Sequence, residues 1–511
     1  MTFLNRPAFL SPRQTYGSLL FERFVSALFY LVAANLFVVF FVQGGYDFTV
    51  GPFHLHAYSP KNWLLLCLAL AIVKAWLTGK RTQTPVAEWI QSPLLLFLSV
   101  VLIYSLNGRT FDTSDAIPAR YLPLSLIQEF DFDLDEFPFL YNDVEDPYFL
   151  RRVNDRLVSA YPPWAGVLAL PVYLVPVLLG ISPRAHFQLM DLEKRAAVLI
   201  TALSVLILLF ALRRVTRHNI AWVIAVIYAF GTSSFSTSSQ ALWQHGPSQL
   251  FLALAIYCLA RGLETPKFSA YAGLALGSAV ICRPLNILIA LLVVAYIVHK
   301  HRDQLIGFLL ATVPPVLLFM SYNHFYFGSP FTTGFSGEVI SPASLFGHHL
   351  SWFRTPILEG LAGVLGSPAR GLFIHSPIFL FSCVSMVIVW REPGYLLLKY
   401  LSLAFPLLLL PIATLGSWWG GTCYGPRLLA DITPILCLLL YPSFERFERK
   451  ALLKYAIVGL SALSVFMHAI GVFSGYNAKY RDIMEPHHEL LWSWVDSPPV
   501  YLGKQILTKN F

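Results

Sequence analysis

Apolar runs of membrane-spanning length follow one another along this chain, from FVSALFYLVAANLFVVFFV near the start to YAIVGLSALSVFMHAIGVF near the end. A helix needs about twenty such residues to cross the hydrocarbon core of a bilayer. Length alone would suggest several soluble domains, but a mean hydropathy of +0.61 with only 13% charged residues excludes that class. The chain reads as an all-α integral membrane protein, a single polytopic domain over 1–511 without a soluble module. Its first apolar run follows basic residues, is too long for a signal-peptide core and lacks a cleavage site, so it reads as a retained anchor. The net charge of +8 records orientation in the membrane, with no nucleic acid as partner. Six cysteines are scattered without CxxC spacing and read as small core residues, with Cys423 alone in a polar loop.

Basic clusters set the topology when they are all placed in the cytoplasm: Arg6, Arg13 and Arg23; Lys74, Lys80 and Arg81; Arg213, Arg214 and Arg217; Arg261 and Lys267; Lys300 and Arg302; Arg446, Arg449, Lys450 and Lys454. Spans then fall near 22–44, 62–79, 90–106, 196–212, 219–236, 247–263, 268–282, 285–299, 304–324, 371–391, 396–415, 428–443 and 454–474. That makes thirteen crossings, with a cytoplasmic N-terminus and an external tail at 475–511. The piece YPPWAGVLALPVYLVPVLLG at 161–180 would invert everything downstream if it crossed, and Pro171 and Pro176 interrupt it. It reads as an interfacial or re-entrant helix inside one long external segment, 107–195, against the alternative of an ordinary Pro-kinked span.

That external segment gathers acid. Residues 107–161 hold Asp112, Asp115, Glu129, Asp131, Asp133, Asp135, Glu136, Asp143, Glu145, Asp146 and Asp155 against five arginines. Acid there serves either solvation or chemistry. Several polar stretches fall at the same outer level: SSFSTSSQALWQHGPSQ with Trp243, Gln244 and His245; CRPLN with Arg283; SYNHFYFGSP; GSPARGLFIHSP with Arg370 and His375; and GSWWGGTCYGPRLLAD with Arg427 and Asp431. A cation left in a bilayer is costly, so Arg283, Arg370 and Arg427 together point to an external cavity that binds an anion, a phosphate being one candidate; a lone arginine would as readily snorkel to headgroups. Trp418, Trp419 and Tyr424 suit a tight turn facing a lipid or sugar, or equally an aromatic belt. His245 and His375 read more simply as satisfied interface residues. No HExxH, Walker loop, GxSxG or paired metal-ligand spacing occurs.

With these residues laid out, the chain resembles the GT-C superfamily of polytopic glycosyltransferases, and within it the bacterial relatives of protein mannosyltransferases and lipid A aminoarabinose transferases. Their first external loop reads Asp-Glu-x-Arg-Tyr, then an interfacial helix, then Lys-Pro-Pro-aromatic. Here Asp115, Arg120 and Tyr121 match the first block, although the acid stands five residues before the arginine and lacks the adjacent Glu; Tyr161, Pro162, Pro163 and Trp164 match the second. Where many relatives place an acid able to join a metal site, this chain has His245, which puts metal dependence in doubt and leaves a divalent metal open. GLALGSAVICRP resembles the family's Gly-rich span ending in a basic residue and nominates Arg283. The likeness covers about the first 300 residues by order and spacing.

The resemblance implies sugar transfer from a polyprenyl-phosphate donor to an acceptor hydroxyl on a glycan, lipid or protein, at the outer face of a bacterial inner membrane. In such a reaction Asp115 is the general base, with Asp112 second, and Arg283, Arg427 and Arg370 bind the phosphate. Arg120, Tyr121, Tyr161, Trp164, Trp243, His245, Asp135, Glu136, Trp418, Trp419 and Tyr424 are the substrate-binding expectations. A transporter or lipid flippase is the alternative; it would place ionisable groups near mid-membrane and show related halves, neither of which is visible here. A ligase or polymerase of lipid-linked glycans shares the donor chemistry.

Overall fold

A computed structural model describes residues 16–41, 46–50, 53–57, 60–82, 91–143, 147–334, 353–474 and 488–508. Arg6, Arg13, Glu145, Asp146 and much of the expected external tail lie outside the described residues. The chain forms two compact units, Met1–Leu102 and Ile103–Phe511.

In the first unit, α1 (Tyr16–Phe41) and α2 (Pro60–Thr82) flank an antiparallel hairpin, β1 (Tyr46–Val50) with β2 (Phe53–Ala57), whose register runs from Tyr46↔Ala57 to Val50↔Phe53. Val25, Phe29, Val32 and Leu36 on α1 are buried at helical spacing, as are Leu64, Cys67 and Ala71 on α2. Lys74 bonds the Tyr30 hydroxyl at 3.0 Å and lies over its ring. Helix α3 (Pro93–Ser105) runs across the boundary between the units.

The second unit holds every candidate site residue. Its helices are α4 (Ile117–Gln128), α5 (Trp164–Leu178), α6 (His186–Val215), α7 (His218–Phe230), α8 (His245–Gly262), α9 (Phe268–Cys282), α10 (Ile287–Lys300), α11 (Leu305–Phe327), α12 (Ile357–Gly366), α13 (Phe379–Arg391), α14 (Leu396–Ser402), α15 (Ala404–Thr414), α16 (Thr433–Leu438), α17 (Leu440–Phe447), α18 (Ala451–Phe473) and α19 (Pro498–Thr508). Each of the thirteen expected spans coincides with helix, but not always with one of spanning length. Among the described residues six stretches are long and apolar enough to cross a membrane: Arg23–Phe41, His186–Val215, Arg302–Phe327, Leu396–Thr414, Arg427–Phe447 and Ala451–Phe473. The other apolar helices are shorter. Helix α9, for example, stops at Cys282 because Arg283 is extended (φ −145°, ψ 105°) and Pro284 follows it.

Glycine sets how closely α9 and α11 approach. A side chain at Gly273 would meet the Phe308 carbonyl, and one at Gly277 would meet the Pro315 ring. Helices α6 and α8 pack side by side, as do α8 and α9.

One element departs from the all-helical expectation in the acidic segment. Residues Leu150–Val153 (β3) and Arg156–Ser159 (β4) form an antiparallel hairpin, closed by Asn154 and Asp155 at φ 51° and 63°. Paired left-handed residues are what a two-residue hairpin turn needs, and Asn and Asp tolerate them. The hairpin docks on the end of α11, where Val158, Tyr326 and Phe327 are buried together and the Phe132 amide donates to the Tyr326 hydroxyl at 2.8 Å. The phenylalanines of DFDLDEF accordingly do not share one environment: Phe137 is fully buried, and Phe132 packs against this cluster.

Candidate active site

Asp115 sits on a single 3-10 turn, Ser114–Ala116, that leads into α4. Both sides of the turn are pinned. Upstream, Asn107 Nδ2 donates to Gln240 Oε1 at 2.8 Å and to the Val472 carbonyl at 3.3 Å. Downstream, Ala116 is buried with Ala241, Trp243 and Cys423. Cys423, expected in a polar loop, is therefore a core residue.

Three donors converge on the Asp115 carboxylate. Arg427 Nη1 reaches Oδ2 at 2.5 Å, while the Tyr161 and Tyr148 hydroxyls donate to Oδ1 at 2.7 and 2.9 Å. Burial by itself raises the pKa of Asp115, but the charge and hydrogen bond of Arg427, joined by the two phenols, outweigh it and bring the value down to about 2. The same burial, with Asp115 alongside, pushes both phenols well above their ordinary range. Tyr161 is positioned by its own local turn, its amide bonded to Ser159 Oγ at 3.0 Å and its carbonyl accepting from the same hydroxyl at 2.8 Å.

Arg427 opens another 3-10 stretch, Arg427–Ile432, just after Gly425 (φ 70°) and Pro426. Its guanidinium lies 4.1 Å over the Trp243 ring. Asp431, further along the same stretch, gathers a second set of groups. Its Oδ2 accepts from His245 Nδ1 at 3.0 Å and forms an ion pair with Arg283, whose Nε lies 3.3 Å away. His245 lies beside Trp243, with ring centroids 6.4 Å apart. A continuous line of contacts thus runs from Asp115 through Arg427, Trp243, His245 and Asp431 to Arg283. Asp431 also lines a small, mostly apolar cleft with Leu285, Asn286, Leu408, Ile412 and Leu428 among its walls.

Other expected site residues are placed differently. Arg120 is fully buried, its Nε on Glu193 Oε2 at 2.6 Å and its Nη2 on Asp112 Oδ1 at 2.8 Å. Glu193 Oε1 accepts from the Leu242 amide at 2.9 Å, so this buried pair ties α4 and α6 to the chain entering His245. Asp112 is half-exposed and lies within 3.4 Å of His186 as well. Tyr121 packs on Phe137 and Phe139. Trp164 opens α5 next to Pro163. Asp135 accepts from the Leu157 amide at 2.5 Å and Glu136 from the Ser125 hydroxyl, so both serve the loop's own geometry. Burial, reinforced by neighbouring acids, raises the carboxyls of Asp131, Asp133 and Glu136.

Arg370 is buried and directs Nε to the Trp419 carbonyl at 3.2 Å, Nη1 to Ala369 O at 3.1 Å and Nη2 to Gly421 O at 3.1 Å. It braces the glycine turn at 420–421, where φ is 73° and 70°. Trp418 packs on Trp419 and Trp492, and the Tyr424 hydroxyl donates to the Met467 carbonyl at 2.6 Å. Tyr148 escaped the sequence reading, its only signal a phenol beside the acid-rich run; Asp431 was visible only as an acid following Arg427. Among the described residues no group of three or more His, Cys, Asp or Glu side chains is placed to hold a metal ion.

Three comparisons bear on this geometry. Residues 194–321, which carry both His245 and Arg283, match the family model of dolichyl-phosphate-mannose-protein mannosyltransferases. No curated protein sequence matches the chain. A crystal structure of ArnT from Cupriavidus metallidurans bound to undecaprenyl phosphate is similar over 83% of this chain and 76% of that one, at 16% identity and a TM-score of 0.48. The match over 194–321 agrees with the resemblance read from the sequence: this stretch, with His245 and Arg283 in it, is similar to a family of membrane glycosyltransferases.

Proposed function

We propose that this protein is an inverting glycosyltransferase that moves a sugar from a polyprenyl-phosphate donor to an acceptor hydroxyl at the outer face of a bacterial inner membrane. In this reading the chain crosses the membrane thirteen times from a cytoplasmic N-terminus, α5 lies at the outer interface, and the site opens externally. The observation that carries it is the contact of Asp115 with Arg427, residues from distant parts of the chain, in line with a second carboxylate–guanidinium pair, Asp431 with Arg283. Two cations joined by one line of contacts suit a phosphate, and a carboxylate beside them suits proton removal.

Asp115 takes the proton of the acceptor hydroxyl as oxygen bonds to the anomeric carbon. The bond from that carbon to the phosphate oxygen breaks, with its electron pair leaving on the phosphate. Arg283 and Arg427 stabilise the charge that grows there. Without donor, Arg427 is held by Asp115; a bound phosphate competes for it and frees one carboxylate oxygen for the acceptor. Asp112 stays with Arg120, and Arg370 stays with its carbonyls, each as support of the fold around the site.

The test is sugar transfer by purified protein in detergent with an undecaprenyl-phosphate sugar. Asp115→Asn and Asp115→Ala abolish transfer while a folded elution profile is kept. Full activity of both variants removes Asp115 from the role.

A further inference from the structure

His245 is almost wholly buried, yet among the described residues only its Nδ1 makes a hydrogen bond, to Asp431 Oδ2 at 3.0 Å. An ionised carboxylate accepts, so this bond puts the proton of a neutral imidazole on Nδ1 and leaves a lone pair on Nε2. The groups that face the ring are Asp431 and Arg427 from the 427–432 stretch, Arg283 from the end of α9, and Trp243 from the segment before α8. Burial first, and then the two guanidiniums, oppose a second proton on the ring and outweigh the pull of Asp431, so Nε2 stays an acceptor.

An acceptor lone pair is the wrong partner for phosphate oxygen, which also accepts. It is the right partner for a hydroxyl or amine. Arg283 Nε pairs with the same Asp431 oxygen, at 3.3 Å, so the imidazole and the cation assigned to the phosphate share one carboxylate. In a polyprenyl-phosphate sugar, the hydrogen-bond donors nearest the phosphate are on the sugar ring.

We infer that His245 contacts the transferred sugar, Nε2 accepting a hydrogen bond from a ring hydroxyl or amine, and that Asp431 is the positioning residue that fixes both this tautomer and the direction of Arg283. The inference rests on the phosphate assignment under the proposed function and adds a sugar-reading group to it. A buried, unengaged acceptor penalises any ligand lacking the matching donor.

Two probes separate the parts: undecaprenyl phosphate without sugar, and undecaprenyl phosphate carrying a hexose, each titrated against wild type, His245→Phe, His245→Gln and Asp431→Asn, with elution profile and thermal midpoint recorded for every variant. Wild type binds the sugar-bearing lipid about tenfold more tightly than the bare one. His245→Phe loses that preference and keeps its affinity for the bare lipid, while His245→Gln, whose side-chain oxygen can replace the acceptor, restores part of it. Asp431→Asn weakens binding of both lipids, because it releases Arg283 as well.

Equal affinities of wild type for the two lipids overturn the inference and leave the phosphate reading standing. A preference retained in His245→Phe overturns it too, as does a loss of bare-lipid affinity in that variant. Failure of wild type to bind undecaprenyl phosphate at all overturns both readings. Should His245→Phe not fold, His245→Gln against Asp431→Asn decides: a sugar preference reduced equally with bare-lipid affinity in both excludes a distinct sugar contact.

Discussion

The contact between Asp115 and Arg427 makes a quantitative prediction. The pKa of Asp115 falls from 3.8 to about 2 although burial pushes it upward. That drop corresponds to roughly 2 kcal/mol of favourable interaction in the folded state. Neither side chain is more than about a fifth exposed, so solvent screens the pair only in part. Asp115→Asn, Arg427→Gln and the double variant form a thermodynamic cycle, read by unfolding in mixed micelles at pH 7. Each single change leaves a charge or a donor group without its partner, and the double change removes both, so the double variant is more stable than the sum of the single losses implies. The expected coupling is about 2 kcal/mol. The sign of the pH dependence follows from the direction of the shift: a carboxyl depressed on folding contributes its full stability above its unfolded value near 3.9, and that contribution disappears as pH falls through about 2. The stability gap between wild type and Asp115→Asn therefore closes across this acid window. Losses that add to within about 0.5 kcal/mol, or a gap constant from pH 7 to pH 2, refute the argument.

The two phenols on Asp115 are not equivalent, because Tyr148 is half-exposed and Tyr161 is more enclosed. Tyr161→Phe lowers kcat/KM for sugar transfer by about tenfold, the value of one hydrogen bond to a charged group, and Tyr148→Phe by less; the reverse order would sink this account. Glu193→Ala leaves Arg120 in a fully buried position with only Asp112, and breaking such a pair costs about 3–5 kcal/mol. A thermal midpoint unchanged from wild type would show that the Arg120–Glu193 bond does not hold α4 to α6.

Hydropathy carried the helical framework because the runs in question are long, and a run of that length has few other ways to satisfy its backbone in lipid. What it could not convey is where each run breaks. Arg283 and Pro284 end α9 through backbone geometry, and Leu403 parts α14 from α15 within one apolar stretch. The hairpin at 150–159 escaped notice since four-residue strands vanish in a reading tuned to spans, although Asn154-Asp155 between apolar and basic residues is a turn signal. The site was legible in part for a different reason. Asp115 came from the resemblance, and Arg283 and Arg427 from the expense of a cation at that depth. Arg370 satisfies the same criterion and Arg120 matches the motif of the resemblance, yet one meets backbone carbonyls and the other a buried Glu. Sequence ranks arginines by where they sit along the chain, whereas their partners come from segments far away: Glu193 for Arg120, Trp419 and Gly421 for Arg370, Asp115 for Arg427.

Charge balance links those pairings to the proposed chemistry. Asp115 and Asp431 match Arg427 and Arg283, so without a ligand the site carries no net charge, and neither cation is left unpaired at a depth where that is costly. For a polyprenyl monophosphate donor, the phosphodiester enters with one negative charge and the lipid phosphate leaves as a monoester able to carry two. In the proposed reaction the acceptor's proton goes to Asp115 and removes one negative charge from the protein at the same moment. Arg427 then has no carboxylate to face, and the surplus positive charge lies where the leaving oxygen gains its electron pair. Proton uptake and phosphate departure are in this way compensated at one carboxylate–guanidinium pair. An arginine paired with the base gives both functions to a single residue, which an arginine held by backbone carbonyls, such as Arg370, does not.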